Sequence, residues 1–148
     1  MTGKVWFEDL RQGQRYAAGP LRVEREEALA FARRYDPQPY HTDEAAAQDS
    51  VFNGLAISGW HTAAYAMRLV VEARPFGETP ILGLGVDELR WLLPVRPGDE
   101  LRLEGELLEL VPSRSKPQGI ARVRYTLFNQ RDEAVYGIVA IHIVPKRP

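Results

Sequence analysis

Cysteine is absent from this chain, which excludes disulfides, thiolate nucleophiles and thiolate metal sites. Net charge is nearly absent too. Against 19 Lys and Arg stand 20 Asp and Glu, for a formal charge of -1. A nucleic-acid partner ordinarily requires a basic face, and no such excess is present. No apolar run reaches the length of a membrane span. Residues 1–8 lack the uninterrupted apolar core of an export signal, so a cytoplasmic protein is the simplest expectation. Histidine is scarce: His41, His61 and His142 are the full set, and their spacing is wrong for a zinc pair on one helix. No metal is expected. What remains is 148 residues of mixed charge, 45% of them hydrophobic, enough for one domain with a real core.

The apolar pattern changes period along the chain. Residues 15–23 read as a first strand, and the Gly19-Pro20 interruption favours an edge. Between 24 and 35, Ala28, Phe31, Ala32 and Tyr35 recur at helical spacing, with Glu24, Glu26 and Glu27 at the end that favours acids. Pro37 and Pro39 stop that helix, because a residue before proline is pushed out of helical conformation. Asp36 and His41 are therefore expected on a stiff turn. A short helix over 42–48, capped by Thr42, and a loop over 50–54 follow. From Ser58 or Gly59 to about Glu72 runs the main helix. Trp60, Ala63, Met67, Leu69 and Val71 make it apolar almost all round, which predicts burial on every side.

Beyond residue 80 the period falls to two, over 88–93, 101–107 and 121–127. The turn sequence 94–99, a polar loop over 112–119 and a turn at 129–133 separate these runs. Residues 134–144 are apolar on both faces, as in a central strand covered on both sides. Short links imply antiparallel pairing. The expected fold class is α+β: one long antiparallel sheet with one buried helix, in a single domain over 1–148.

Two stretches carry chemistry. Asp36-Pro37-Gln38-Pro39-Tyr40-His41 offers a carboxylate and an imidazole five residues apart. Ser58-Gly59 opens the main helix, whose first N–H groups lack intrahelical partners and carry the positive end of the dipole. A general base, a histidine and a helix N-terminus are what water addition to an activated double bond needs. An Asp and a His at this spacing also fit a turn cap and a surface histidine. Ser58 can reach a substrate or cap the helix, and capping is its commoner role. Gly59 permits close approach of backbone. His61 reads as a packed or supporting group, and His142 as structural.

The 36–41 run resembles the Asp-x-Asn-Pro-x-His motif of the MaoC-like dehydratases, the R-specific enoyl-CoA hydratases. Ser58-Gly59-Trp60-His61-Thr62 resembles the start of that family's central helix. Asp87-Glu88-Leu89-Arg90-Trp91, followed by Pro94-Val95-Arg96-Pro97-Gly98-Asp99, is similar to its next strand and turn. The likeness runs in order through nearly the whole chain. It implies a hotdog fold, a curved antiparallel sheet wrapped around a long central helix, usually as a homodimer. The implied substrates are acyl thioesters of coenzyme A or acyl carrier protein, with no further cofactor. The implied reaction is reversible hydration of a 2-enoyl thioester. Asp36 is then the main base, and His41 the water-positioner and proton shuttle. Ser58, Gly59, Gln38 and Tyr40 become oxyanion- or substrate-binding candidates. Arg33, Arg34, Arg68, Arg114 and Lys116 become candidates for the phosphates of coenzyme A, although each also reads as a solvated surface residue.

One departure stands out: Gln38 occupies the position of the motif Asn. Two other readings are compatible with the fold. A hotdog thioesterase commonly carries a carboxylate on or near the central helix; here the first one after Ser58 is Glu72, at the far end. A non-catalytic acyl-thioester binder keeps the fold without the chemistry, and Gln38 is its best argument.

Overall fold

The computed structural model describes residues 3–148; Met1 and Thr2, which the expected domain and the reading of the N-terminus include, lie outside them. The strands are β1 (Arg15–Arg22), β2 (Leu82–Trp91), β3 (Glu100–Pro112), β4 (Gln118–Phe128) and β5 (Ala134–Pro145). They pair antiparallel throughout, in the order β1-β3-β4-β5-β2. On β3 the alternation predicted from sequence holds: Leu101, Leu103 and Leu107 are buried while Arg102, Glu104 and Glu106 are not. Across the ladder Leu103 faces Leu127 and Leu107 faces Val123, so one face of the sheet is continuously apolar.

β1 takes the expected edge position, and its pairing shifts register between Ala18 and Leu21, across Gly19-Pro20. β5 is not the central strand; β4 is. Ile141 and Ile143, on the outer face of β5, are only half-buried. The apolar run over 134–144 thus marks a strand with a neighbour at each edge, whose outer face is buried at Val139 but only half-covered at Ile141 and Ile143. β2, the other edge, begins at Leu82, well before the alternation at 88. Gly83 and Gly85 break the apolar pattern there, and a bulge between Asp87 and Arg90 places Glu88 at φ 52°.

Among the described residues a 3-10 turn over Phe7–Asp9 precedes β1, and four α-helices complete the fold: α1 (Arg25–Tyr35), α2 (Pro39–Thr42), α3 (Glu44–Gln48) and α4 (Gly59–Ala73). α2 forms where a stiff turn was expected. Pro39 takes the first helical position, where a missing N–H costs nothing. Asp43, not Thr42, caps α3 by accepting from the Ala46 N–H at 2.9 Å. Thr42 is instead the last residue of α2, and its hydroxyl donates to the Gln38 carbonyl.

α4 packs on the apolar face of the sheet. Tyr65, Ala66, Leu69 and Val70 join Leu101, Leu103, Leu107, Val123, Tyr125 and Leu127 in one buried cluster. Each fully buried leucine contributes about 1.5–3 kcal/mol relative to exposure. The expectation that α4 is buried on every side fails in the single chain. Trp60, Met67 and Val71 are 59%, 47% and 55% exposed. The sheet covers one side of the helix, and the apolar remainder faces outward beside β2. No described helix is long and apolar enough to cross a membrane.

Candidate active site

The site is built where three helix ends meet. α1 ends as the Asp36 N–H closes on the Ala32 carbonyl at 2.8 Å, and Pro37 forbids a further turn. This leaves the Asp36 carboxylate free of the helix. Ser58, the N-cap of α4, donates its hydroxyl to Asp36 Oδ2 at 2.7 Å and accepts from the Trp60 N–H at 3.3 Å. Ser58 is therefore both a cap and a partner of the carboxylate. Gln38 Nε2 donates to the other oxygen, Oδ1, at 2.6 Å. Burial pushes the Asp36 carboxyl up, but the hydrogen bonds from Gln38 and Ser58 and the field of His41 together hold it below the usual carboxylate value.

His41 rides on α2 and is buried. Its Nδ1 lies 2.6 Å from the Ala56 carbonyl, an atom that can only accept, so Nδ1 carries the proton. Nε2 then offers a lone pair, 3.4 Å from Asp36 Oδ2. The Ala56 carbonyl is itself held by its neighbours. Arg96 donates to the Phe52 and Leu55 carbonyls, and the Ile57 N–H donates to the Val95 carbonyl at 2.8 Å.

A cavity of about 300 Å³ opens against these groups, walled by Tyr40, His41, Phe52, Ile57, Gly59, Thr62, Trp91, Leu92, Leu93 and Val95. Asp36 is not in its wall; it meets the cavity through His41. Gly59, the first residue of α4, presents an N–H that nothing among the described residues accepts. It sits under the Trp91 indole, whose Nε1–H donates to the Gly59 carbonyl at 2.7 Å. The arrangement thus sets an acceptor imidazole and the first residue of α4 in the wall of one apolar pocket, with the Asp36 carboxylate behind the imidazole.

The family model described as "MaoC like domain" matches residues 9–127. The chain belongs to the MaoC-like dehydratase family. A solved MaoC-like dehydratase from Rhodospirillum rubrum is 44% identical, with a TM-score of 0.92 over 97% of this chain and 99% of that one. Protein YdeM of Bacillus subtilis (strain 168), itself uncharacterized, is 33% identical over 124 residues, 84% of this chain and 87% of that protein. The R-hydratase PhaJ1 of Pseudomonas aeruginosa is 26% identical, with a TM-score of 0.78 over 97% of this chain and 88% of that one. These neighbours share the hotdog arrangement. Hydratase or dehydratase activity, taken broadly, is what membership in this family supports.

Of the candidates read from sequence, this MaoC-like chain joins Asp36, Ser58 and Gln38 by hydrogen bonds and sets His41 Nε2 3.4 Å from the Asp36 carboxylate. Gln38 turns its amide to the Asp36 carboxylate. Tyr40 lines the cavity and also donates its hydroxyl to Gln38 Oε1. His61 lies outside the set, stacked between Phe31 and Tyr65 at centroid distances of 4.4 and 4.5 Å, with Glu27 beside it. His142 is buried on the inner face of β5, edge-on to Phe76. The five basic candidates are spread over α1, α4 and the β3–β4 loop. Sequence reading missed the roles of Trp91 and the Ala56 carbonyl. Trp91 carries a signal, an aromatic at the end of an alternating run; a main-chain carbonyl carries none.

Proposed function

We propose that this protein reversibly adds water to a 2-enoyl thioester, with coenzyme A or acyl carrier protein as the carrier. One observation carries the reading: two acceptors, Asp36 Oδ2 and His41 Nε2, stand 3.4 Å apart, with His41 opening onto a cavity that Gly59 also lines. Two acceptors so placed hold a water by its two hydrogens and turn its lone pairs away from them, toward C3 of the substrate. As the oxygen bonds to C3, Asp36 takes the proton. His41 Nε2 receives that proton from Asp36 and passes it to C2, which restores both groups, so one water supplies both the C3 hydroxyl and the C2 hydrogen. The thioester oxygen becomes negative in between. The Gly59 N–H, at the positive end of α4, is the donor suited to it, and loss of such a donor costs about 3–4 kcal/mol of transition-state stabilisation. The reverse sequence dehydrates a 3-hydroxyacyl thioester.

The carrier needs no resident cofactor. Arg33 and Arg34, close in the chain to Asp36 and exposed, fit contacts to its phosphates. We assign the working form as a cytoplasmic homodimer. The thioesterase reading is weakened because Glu72 is exposed near the far end of α4 and does not line the cavity. The non-catalytic reading loses its main support because Gln38 bonds the carboxylate.

The test is a panel of enoyl-CoAs of different chain length, followed by loss of enoyl absorbance. Hydration of at least one is expected, and Asp36→Asn should lower it by about 10²–10⁴-fold with the fold intact. Near-wild-type hydration by folded Asp36→Asn protein would end the assignment.

A further inference from the structure

We propose that Tyr40 is a positioning residue for Asp36, acting through the side-chain amide of Gln38; this rests on the reading of Asp36 as the base. Three hydrogen bonds in series support it. The Tyr40 hydroxyl donates to Gln38 Oε1, Gln38 Nε2 donates to Asp36 Oδ1 at 2.6 Å, and Ser58 donates to Asp36 Oδ2 at 2.7 Å. A primary amide can sit either way round. Turned with its oxygen toward a carboxylate, Gln38 would set two acceptors against each other. A phenol that donates to Oε1 fixes the other orientation, with the NH₂ facing Asp36.

The phenol is itself held. Its ring meets His41 edge-on at 4.6 Å and packs against Phe52 at 5.1 Å. Tyr40 is half-buried although Gln38 is exposed, so the fixed end of the chain is the phenol and the mobile end the amide. An Asn at position 38, shorter by one methylene, could not span both partners. The departure at Gln38 is thus matched two residues later by Tyr40, and the two act as a pair.

Few other charges reach this carboxylate. From α2, His41 is the titratable neighbour, its Nε2 3.4 Å away; from α4, Ser58 is uncharged. Arg33 and Arg34 on α1 form no ion pair with it among the described residues, and His61 faces Glu27.

The test is Tyr40→Phe, which removes only the hydroxyl. With aspartate carboxyl carbons labelled and the Asp36 resonance assigned from Asp36→Asn, the titration midpoint of Asp36 should move to higher pH by about 0.5–1 unit. That corresponds to losing part of one charge-assisted hydrogen bond, much of it screened by water. The acid limb of kcat/KM should move with it, so that loss of activity is greater at low pH than at neutral pH. Gln38→Leu should give at least the same shift, and Tyr40→Phe in that background should add nothing. At neutral pH the Gln38 side-chain amide should be ordered in the wild type and mobile in Tyr40→Phe, a readout that needs neither turnover nor acid. An unmoved Asp36 midpoint with an unchanged Gln38 amide, or additive shifts in the double variant, would overturn the proposal. If the wild type hydrates no enoyl thioester while the midpoint and amide move as stated, the functional reading fails and the positioning role stands.

Discussion

A single proton decides what His41 can do. With Nδ1–H committed to the Ala56 carbonyl, only Nε2 is left to meet the water that the proposed hydration shares between it and Asp36. His41→Ala should therefore be about as damaging as Asp36→Asn. The double variant should cost much less than the product of the two, since both groups act on one water. Rates measured across the four proteins of that cycle decide it; independent losses would mean separate roles. His142 is the contrasting histidine. Burial pulls its imidazole from the ordinary 6.5 down to about 4, so the folded protein keeps it neutral. Below pH 6.5 the unfolded chain binds a proton that the folded one refuses. Stability therefore falls as the pH drops from about 6.5 to about 4, by on the order of 3 kcal/mol, and this loss levels off below that. Urea unfolding at several pH values should show this slope in the wild type and not in His142→Asn, which should change stability more than rate.

At the level of elements, the head of α4 is fitted to the end of β2. An added methyl at Gly59 would come within 2.7 Å of the Trp91 indole nitrogen. Gly59→Ala should thus cost about 1–3 kcal/mol of stability by overpacking, together with a larger fractional loss of activity as the indole leaves the cavity wall. Trp91→Ala added to Gly59→Ala should recover part of the lost stability in thermal unfolding, which a purely helical effect of Ala at position 59 would not allow. This contact also marks a limit of sequence reading. α1, α4 and most strands were legible because apolar residues recur at 3.6 or 2, whereas α2 was not. Likewise, Asp36, His41 and Ser58 were legible because prolines and a cap residue bracket them. β2 was only half legible, since Gly83, Gly85 and the bulge at Glu88 interrupt its period. The meeting of Trp91 with Gly59, 32 residues apart, and the Arg96 bonds that fix the loop before Ala56 are tertiary facts that no local pattern encodes. The exposed face of α4 was misread for a related reason: a helix apolar all round must be covered, but the cover need not come from its own chain.

For the whole molecule, that uncovered face and the edge of β2 belong together. Leu82, Leu84 and Val86 are 54%, 62% and 53% exposed on a strand with one free ladder edge, beside Met67 and Val71 of α4. A second copy meeting the first across β2 would pair both edges and bury both patches. Sedimentation at micromolar concentration should return twice the mass of one chain, and Leu84→Asp should shift the equilibrium toward single chains. A wild-type protein that sediments as one chain would refute the dimer. The order of the elements has a consequence for synthesis. Asp36, His41, Ser58 and Gly59 all precede residue 62, whereas the four strands that wall and support them occupy 82–145. A ribosome adding roughly 5–20 residues per second therefore releases the candidate site residues, and the most apolar helix in the chain, seconds before most of the sheet exists. Through that interval the apolar faces of α4 lack the sheet that buries them, and the candidate site is complete in composition before it has a shape.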